Sequence, residues 1–116
     1  MKWHNNQPIY LQLKELITRQ ILNHHINEGE LIPSIRQVSI DYQLNPLTVS
    51  KAYQALVDDG ILIKQRGIGM MVVKDAHEKL CKQQKRIFLQ HEWPSIKEKL
   101  KLLNIDLREL LDESSN

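Results

Sequence analysis

The sequence contains a single cysteine and no long apolar run. Cys81 has no second cysteine with which to form an internal disulfide, so the fold must rest on packing, as is usual in a reducing compartment. No stretch approaches the roughly 18 uncharged apolar residues that a membrane-spanning helix needs, and the first residues lack the apolar segment of a secretory signal. We therefore expect a cytoplasmic protein without a membrane partner.

A strong excess of charge of one sign is also absent. Sixteen Lys and Arg residues against 14 Asp and Glu residues give a formal net charge of +2, and the pI is about 8.7. A pI above about 9 would by itself indicate a nucleic-acid partner, so the overall charge does not decide what the protein binds. The small excess lies in residues 1–74, which carry eight basic and six acidic side chains, whereas residues 75–116 carry eight of each.

The motifs of enzymes are missing as well. The sequence has no nucleophile elbow and no paired catalytic carboxylates, and the run Arg66-Gly67-Ile68-Gly69 lacks the third glycine and the following helix of a phosphate-binding loop. The only pair of metal-ligand types at helical spacing that includes a soft ligand is His77 with Cys81, and structural zinc requires four ligands. We therefore expect no enzymatic activity, no catalytic residue, no metal site and no cofactor.

The residues that are present predict a folded, mostly helical chain. Hydrophobic residues make up 41% and charged residues 26% of the 116 positions, which is typical of one globular domain. Apolar residues at helical spacing predict a first helix over residues 8–24. A Ser-x-x-Gln capping box that begins at Ser34 predicts a second helix over 34–42. An Asn-Pro pair at Asn45 is suited to begin a third helix, which ends at Gly60.

The apolar period changes beyond the third helix. Two short β-prone runs, 61–65 and 70–74, flank a glycine-containing run and predict a β-hairpin. Three helices with a tight turn between the second and the third, followed at once by a hairpin, are the element order of a winged helix-turn-helix domain. We therefore expect a mainly α fold with a small β-hairpin (α+β), in which residues 1–74 form the winged helix-turn-helix domain.

Residues 75–116 contain no glycine and predict a short helical tail. A helix over 77–91 is followed by two further capping signatures, which begin at Ser95 and Asp106. Short helices cannot bury leucine-rich faces alone, so these faces are expected to meet the winged domain and a second copy of the chain. The expected dimerisation residues of this homodimer are Leu80, Ile87, Phe88, Ile96, Leu100, Leu103, Leu107 and Leu110.

The start of the third helix carries small polar and basic side chains that a purely structural helix does not need. The N-terminal turn of a recognition helix enters the major groove, where such side chains reach base edges and phosphates. Arg36, near the start of the preceding helix, can offer a bidentate fork to guanine, and Arg66 at the hairpin tip can lie along a backbone or a narrow minor groove. We therefore predict that the protein binds an operator in double-stranded DNA.

These segments resemble a known family. The ordered runs Pro8-Ile9-Tyr10, Ile32-Pro33-Ser34-Ile35-Arg36, Asn45-Pro46-Leu47-Thr48-Val49-Ser50-Lys51-Ala52-Tyr53 and Arg66-Gly67-Ile68-Gly69 are similar to those of GntR-family transcriptional regulators, in particular the YtrA-like branch. The resemblance implies that Arg36 contacts DNA, that Asn45 and Thr48 open the recognition helix, and that Gly67 is the wing glycine. The expected DNA-binding residues are Ser34, Arg36, Asn45, Leu47, Thr48, Ser50, Lys51, Arg66 and Gly67.

The resemblance also implies a repressor of a nearby operon, such as one with genes for an ABC transporter. Larger relatives carry a C-terminal effector domain, whereas about 42 residues follow the hairpin here, so any small-molecule effector, whose identity is unknown, is expected at the dimer interface. Several positions depart from the family pattern. Pro46 stands where many members have Arg, and Met70 and Met71 replace the usual Thr-Phe after the wing glycine. Leu47 replaces a commonly polar residue and can touch a thymine methyl or simply pack, and Ser50 stands where Arg or Lys is frequent.

Two questions stay open at this point. Winged helices are also used as protein-interaction modules without specific DNA binding, and such a module would bind duplex DNA weakly and without sequence preference. The basic run from Lys79 to Arg86 either extends the DNA footprint or is a solvated helix face, as charge runs usually are.

Overall fold

A computed structural model describes residues 2–114, so residues 1, 115 and 116 of the predicted domains 1–74 and 75–116 lie outside the described residues. The chain divides into two compact units, Met1–Cys81 and Lys82–Asn116. The first unit contains α1 (Ile9–Leu22), α2 (Ile35–Tyr42), α3 (Pro46–Asp58), β1 (Leu62–Gln65) and β2 (Gly69–Val72). Helix α4 (Ala76–Ile87) contains the boundary between the units, and it is followed by a π-helical turn (Phe88–Glu92), α5 (Trp93–Leu102) and α6 (Leu107–Ser114).

The caps of α2 and α3 form as the sequence predicts. The hydroxyl of Ser34 accepts a hydrogen bond of 3.0 Å from the backbone N–H of Gln37, and Asn45 Oδ1 accepts one of 2.9 Å from the N–H of Leu47. The second half of the predicted capping box at Ser34 is wrong, because the side-chain amide of Gln37 donates to Asp41 Oδ1 at 2.8 Å instead of turning back to the cap. An acceptor one helical turn ahead is within easy reach of Gln37.

The core of the first unit combines side chains from all its elements with two from the start of α4. Leu80 is 1% exposed and Ala76, one helical turn before it, is also buried. The assignment of Leu80 to dimerisation is therefore wrong, because this side chain already packs in the core of its own unit. For the same reason the first unit extends beyond Lys74. The largest fully buried side chains are Tyr53, Leu13, Ile21, Leu56, Ile61, Leu62, Leu80, Val49 and Val72.

The hairpin is antiparallel, with Leu62 opposite Val72 and Gln65 opposite Gly69. Its tip is a turn closed by a hydrogen bond of 2.9 Å from the N–H of Ile68 to the carbonyl oxygen of Gln65. Gly67, the third residue of this turn, has a φ of 78°, which glycine adopts at little cost. An isolated bridge between Leu31 and Met71, which the sequence did not predict, adds the segment before α2 to the edge of the sheet.

The second unit departs from the sequence prediction around Pro94. The helix does not stop near His91, since the π-helical turn joins α4 directly to α5, and the N–H of Trp93 bonds to the carbonyl oxygen of Phe88. Proline has no N–H to donate and its ring clashes with the carbonyl four residues earlier, so a wider turn accommodates it within a continuing helix. The predicted cap at Ser95 is therefore wrong, because this residue lies inside α5.

The predicted helix start at Asp106 is confirmed. Asn104 ends the segment after α5 with a left-handed φ of 55°, and Asp106 Oδ1 accepts a hydrogen bond of 2.9 Å from the N–H of Arg108 at the start of α6. No helix within residues 2–114 is long and apolar enough to cross a membrane.

Candidate nucleic-acid interface

A buried tyrosine sets the position of α3 relative to the chain that enters α2. Tyr53 lies in the middle of α3 and is 1% exposed, and its hydroxyl donates a hydrogen bond of 2.6 Å to the carbonyl oxygen of Pro33. Burial, with a smaller contribution from Tyr42, raises the pKa of Tyr53 to about 12. The phenol is therefore neutral at ordinary pH and holds the start of α2 against α3.

An open groove of about 520 Å³ runs between the start of α2, α3 and the hairpin. It brings together four of the predicted DNA-binding residues, which are Ser34, Arg36, Ser50 and Gly67. Ser34 and Arg36 are exposed and Ser50 is half-buried, so these residues present one guanidinium and two hydroxyl groups to a ligand.

Three further polar side chains line this groove and were not predicted from the sequence, namely Gln54, Lys64 and Gln65. Lys64 is exposed on β1, opposite Met70, and Gln54 is exposed on α3. Helical spacing could have indicated Gln54, which lies one turn beyond Ser50. Alternate side chains of a β-strand lie on the same face, so Lys64 lies on the face of Leu62, two residues earlier. This position could have indicated that Lys64 faces the groove.

The other predicted residues of α3 lie outside the groove, at its N-terminal turns. Leu47 is 77% exposed, so its apolar side chain is accessible to an approaching surface. The side-chain oxygen of Asn45 is used in capping, so its amide NH₂ is the group that can face an external acceptor. Thr48 is half-buried and Lys51 is exposed. The ammonium of Lys51 lies 4.6 Å from the centroid of the Tyr10 ring in α1, a contact that the sequence did not predict.

The tip of the hairpin places Arg66 and Ile68 on either side of Gly67. Arg66 is exposed and lies outside the groove, and Ile68 is 68% exposed. A Cβ built on Gly67 would meet nothing within 4 Å, so the backbone at the tip is open to an approaching surface. The hairpin tip therefore forms the outer edge of the surface that contains the groove and the start of α3.

A second polar cluster lies away from this surface. The rings of His24 and His77 stack with centroids 4.4 Å apart, and Cys81 Sγ lies 3.6 Å from Nδ1 of His77. The other ring nitrogen of His77 lies 3.2 Å from the carbonyl oxygen of Leu22. Over residues 2–114, no three His, Cys, Asp or Glu side chains are grouped so that they could hold a metal ion. His77 and Cys81, the pair that the sequence singled out, lie within hydrogen-bonding distance of each other.

The second unit exposes the remaining residues that we assigned to dimerisation. Between residues 82 and 112 no side chain is buried, and Leu102 is 75% exposed. Apolar residues that the sequence analysis did not select, among them Leu89 and Leu111, are exposed as well. Of the predicted set, Leu100 is half-buried, and the exposed members are Ile87, Phe88, Ile96, Leu103, Leu107 and Leu110.

The arrangement defines a class of protein. A helix-turn-helix whose second helix presents a polar and basic N-terminus, with a β-hairpin beside it, is a winged helix-turn-helix DNA-binding domain. The sequence profile described as "Bacterial regulatory proteins, gntR family" matches residues 9–80. The chain therefore belongs to the GntR family of bacterial transcriptional regulators.

Known proteins of this family resemble the chain over most of its length. It is 32% identical over 102 residues to the HTH-type transcriptional repressor YtrA of Bacillus subtilis (strain 168), an alignment that covers 88% of this chain and 72% of that protein. The structure of YtrA from Sulfolobus acidocaldarius, a GntR-family transcription factor, superposes with a TM-score of 0.61 at 25% identity and covers 100% of this chain and 98% of that one.

A related structure contains DNA. The DNA-binding domain of AraR in complex with operator ORX1 superposes with a TM-score of 0.58 at 26% identity, and the match covers 62% of this chain and 93% of that one. The alignment with a second curated relative covers 62% of that protein's length, and the alignment with a third covers 28% of its length. The similarity to longer regulators is thus confined to part of their length.

Proposed function

We propose that this protein is a homodimeric transcriptional repressor that binds a pseudo-palindromic operator upstream of a nearby operon. The observation that carries the proposal is the exposed polar and basic start of α3 beside a groove that contains Arg36 and Lys64. This is the surface that a winged helix-turn-helix turns toward the major groove. Family membership and the similarity to a repressor of Bacillus subtilis support it.

The contacts to DNA divide into two kinds. Arg36 offers a bidentate fork to guanine, and the amide of Asn45 and the hydroxyl of Thr48 reach base edges near the start of α3. Lys51 and Arg66, with Ser34 and Ser50 beside the groove, contact phosphates and fix the register without reading sequence. Leu47, with its exposed side chain, contacts a thymine methyl group.

The second unit supplies the dimer contacts in this proposal. Its helices leave leucine and isoleucine side chains in water, and a second copy that covers them gains roughly 25 cal/mol for each Å² of apolar surface removed from solvent. Two winged domains brought together by these helices place two α3 helices on half-sites about one helical turn, or a related spacing, apart. The winged domain thus reads DNA, while the C-terminal helices hold the dimer and form the interface at which an effector would bind.

Selection of bound duplexes from a random DNA library tests the proposal. Purified full-length protein is incubated with the library, bound duplexes are recovered through several rounds, and the enriched sequences are determined. Enrichment of one pseudo-palindromic motif supports a dimer that reads sequence. Enrichment of no motif would contradict the proposal and favour the alternative, a winged-helix module that binds proteins and has no DNA sequence preference.

A transcription assay tests the direction of regulation. The enriched motif is placed across a promoter, and transcription by bacterial RNA polymerase is measured in vitro with increasing protein. A fall in transcript at protein concentrations that saturate the motif supports repression, and a rise shows activation instead. A promoter with the scrambled motif is the matched control and should be unaffected.

A further inference from the structure

We propose that Tyr10 is a positioning residue for DNA binding, whose ring holds the ammonium group of Lys51 beside the start of α3 so that this group meets a DNA phosphate. The inference rests on the DNA-binding role proposed for α3, and it adds a residue of α1 to that function.

The geometry of the pair is that of a cation over an aromatic face. Lys51 Nζ lies 4.6 Å from the centroid of the Tyr10 ring, inside the limit of about 6 Å at which the ring quadrupole attracts a cation. Tyr10 is half-buried and packs against the core of the first unit, whereas Lys51 is exposed. The ring is therefore the fixed member of the pair, and the ammonium is the member that it guides.

Contacts made by two residues that follow Tyr10 hold the backbone of α1 in place. Lys14, one helical turn further along α1, forms an ion pair of 2.8 Å with Asp59 at the C-terminal end of α3. The buried side chain of Gln12 donates to two backbone carbonyl oxygens of the segment before α1, at 2.8 and 2.7 Å. These contacts fix the start of α1 independently of Lys51.

The chemistry of the contact leaves the charge of Lys51 available. A carboxylate such as that of Asp59 neutralises the lysine it binds, but an aromatic ring attracts an ammonium without cancelling its charge. A free lysine side chain loses rotamer freedom when a phosphate immobilises it, and a ring that restricts the side chain beforehand reduces this cost. Tyr10 thus preorganises a cation that still carries its full charge.

The test compares Tyr10→Leu, which removes the aromatic face, with Tyr10→Phe, which keeps it. Each is titrated by fluorescence anisotropy against the duplex enriched by the wild-type protein, over a series of salt concentrations. We expect Tyr10→Leu to bind about two- to fivefold more weakly and Tyr10→Phe to bind like the wild type. Lys51→Ala should lower the slope of log affinity against log salt by about one, as expected for one lost phosphate contact.

A double-variant cycle separates positioning from packing. In the Lys51→Ala background, Tyr10→Leu should have no further effect on DNA affinity, because no ammonium remains to be positioned. Thermal unfolding checks that each variant is folded. An equal loss from Tyr10→Leu with and without Lys51 would show that the ring only packs, and no loss from Tyr10→Leu in the wild-type background would also overturn the inference.

The result for the wild-type protein identifies which proposal fails. If the wild type enriches a motif but Lys51→Ala leaves affinity and salt slope unchanged, the role of Tyr10 is overturned while DNA recognition stands. If the wild type enriches no motif, the proposed function fails and the inference fails with it. A readout that needs no DNA is the ring-current shift of the Lys51 side-chain protons, which should persist in Tyr10→Phe and vanish in Tyr10→Leu.

Discussion

The hydroxyl of Tyr53 in α3 donates a hydrogen bond of 2.6 Å to the carbonyl oxygen of Pro33, the residue before the cap of α2. The bond spans 20 positions of sequence and joins α3 to the segment that leads into α2, the helix that carries Arg36. Because the phenol of Tyr53 is buried, the bond fixes the position of the chain before α2 relative to α3.

Replacement of this tyrosine should change the pH dependence of stability. The pKa of Tyr53 is about 12 in the folded chain and near 10 in the unfolded chain, so unfolding releases a proton between these values and the free energy of unfolding falls as pH rises. Tyr53→Phe should lose about 0.5–1.5 kcal/mol at neutral pH from the missing hydrogen bond. Tyr53→Phe should also lack the alkaline decrease in the free energy of unfolding of the wild type. That decrease is on the order of 2–3 kcal/mol once pH exceeds both pKa values.

The measurement is urea unfolding of the wild type and Tyr53→Phe at a series of pH values from 7 upward. Because other groups titrate equally in both proteins, the difference between the two curves isolates Tyr53. Tyr10→Phe is the matched control, since it also removes one phenol hydroxyl from the first unit. A constant difference between wild type and Tyr53→Phe across the alkaline range would contradict the assigned pKa.

Removal of the Arg36 side chain should lower the affinity for DNA and reduce the sequence preference. Arg36→Ala should cost about 1–3 kcal/mol of binding free energy on the enriched duplex and relax the preference at one base pair. Arg19→Ala removes an equal charge from the end of α1 and is the control for general electrostatics. Competition binding with duplexes mutated at single positions measures both effects. Equal losses for the two variants would mean that Arg36 reads no base.

The two glycines Gly67 and Gly29 offer a matched pair of backbone substitutions. Both have a left-handed φ, of 78° and 83°, so an alanine at either site should lower the free energy of unfolding by about 1 kcal/mol. Only Gly67→Ala should also weaken DNA binding, because its new methyl group lies at the hairpin tip that approaches the DNA. Anisotropy titration compares the two variants, and an equal loss of DNA affinity would attribute the effect to stability alone.

Charge placed on the second unit should prevent the proposed homodimer from forming. The double variant Leu103→Glu/Leu107→Glu replaces two leucines that are exposed in the single chain with carboxylates. The fold of the single chain should therefore persist, whereas association of two chains should weaken strongly, because it would bury the new charges. Sedimentation equilibrium should give the mass of one chain for the variant and of two for the wild type. Ile40→Glu, at a 62% exposed position of α2, is the control and should remain dimeric.

The sequence predicts those features that depend on neighbouring residues. Ser34 and Asn45 cap their helices through bonds to N–H groups two or three residues away, so residue type and spacing were enough to find them. The exposure of the start of α3 was predictable in the same way. The buried residues of α3 lie along one face of the helix, and Leu47 and Lys51 lie outside that face. The order of helices and hairpin then determined the fold class.

Features that depend on distant partners were not predictable. Nothing in the sequence around Leu80 distinguishes a core residue from a dimerisation residue, since either use requires the same apolar helix face. The contact of Lys51 with Tyr10 and the groove position of Lys64 depend on how α1 and the hairpin pack against α3. A π-helical turn stands where a helix break was expected, because Pro94 fits into a continuing helix. Residue patterns do not distinguish a helix that breaks before a proline from one that continues through a wider turn.

The most direct test of the account is a titration of the enriched duplex and a scrambled duplex of equal length and composition across a salt series. We predict that the enriched duplex binds at least about a thousandfold more tightly at physiological salt, with two chains bound per duplex. Both affinities should fall with salt because phosphate contacts contribute to both. Equal affinity for the two duplexes at every salt concentration would contradict the claim that this surface reads a DNA sequence.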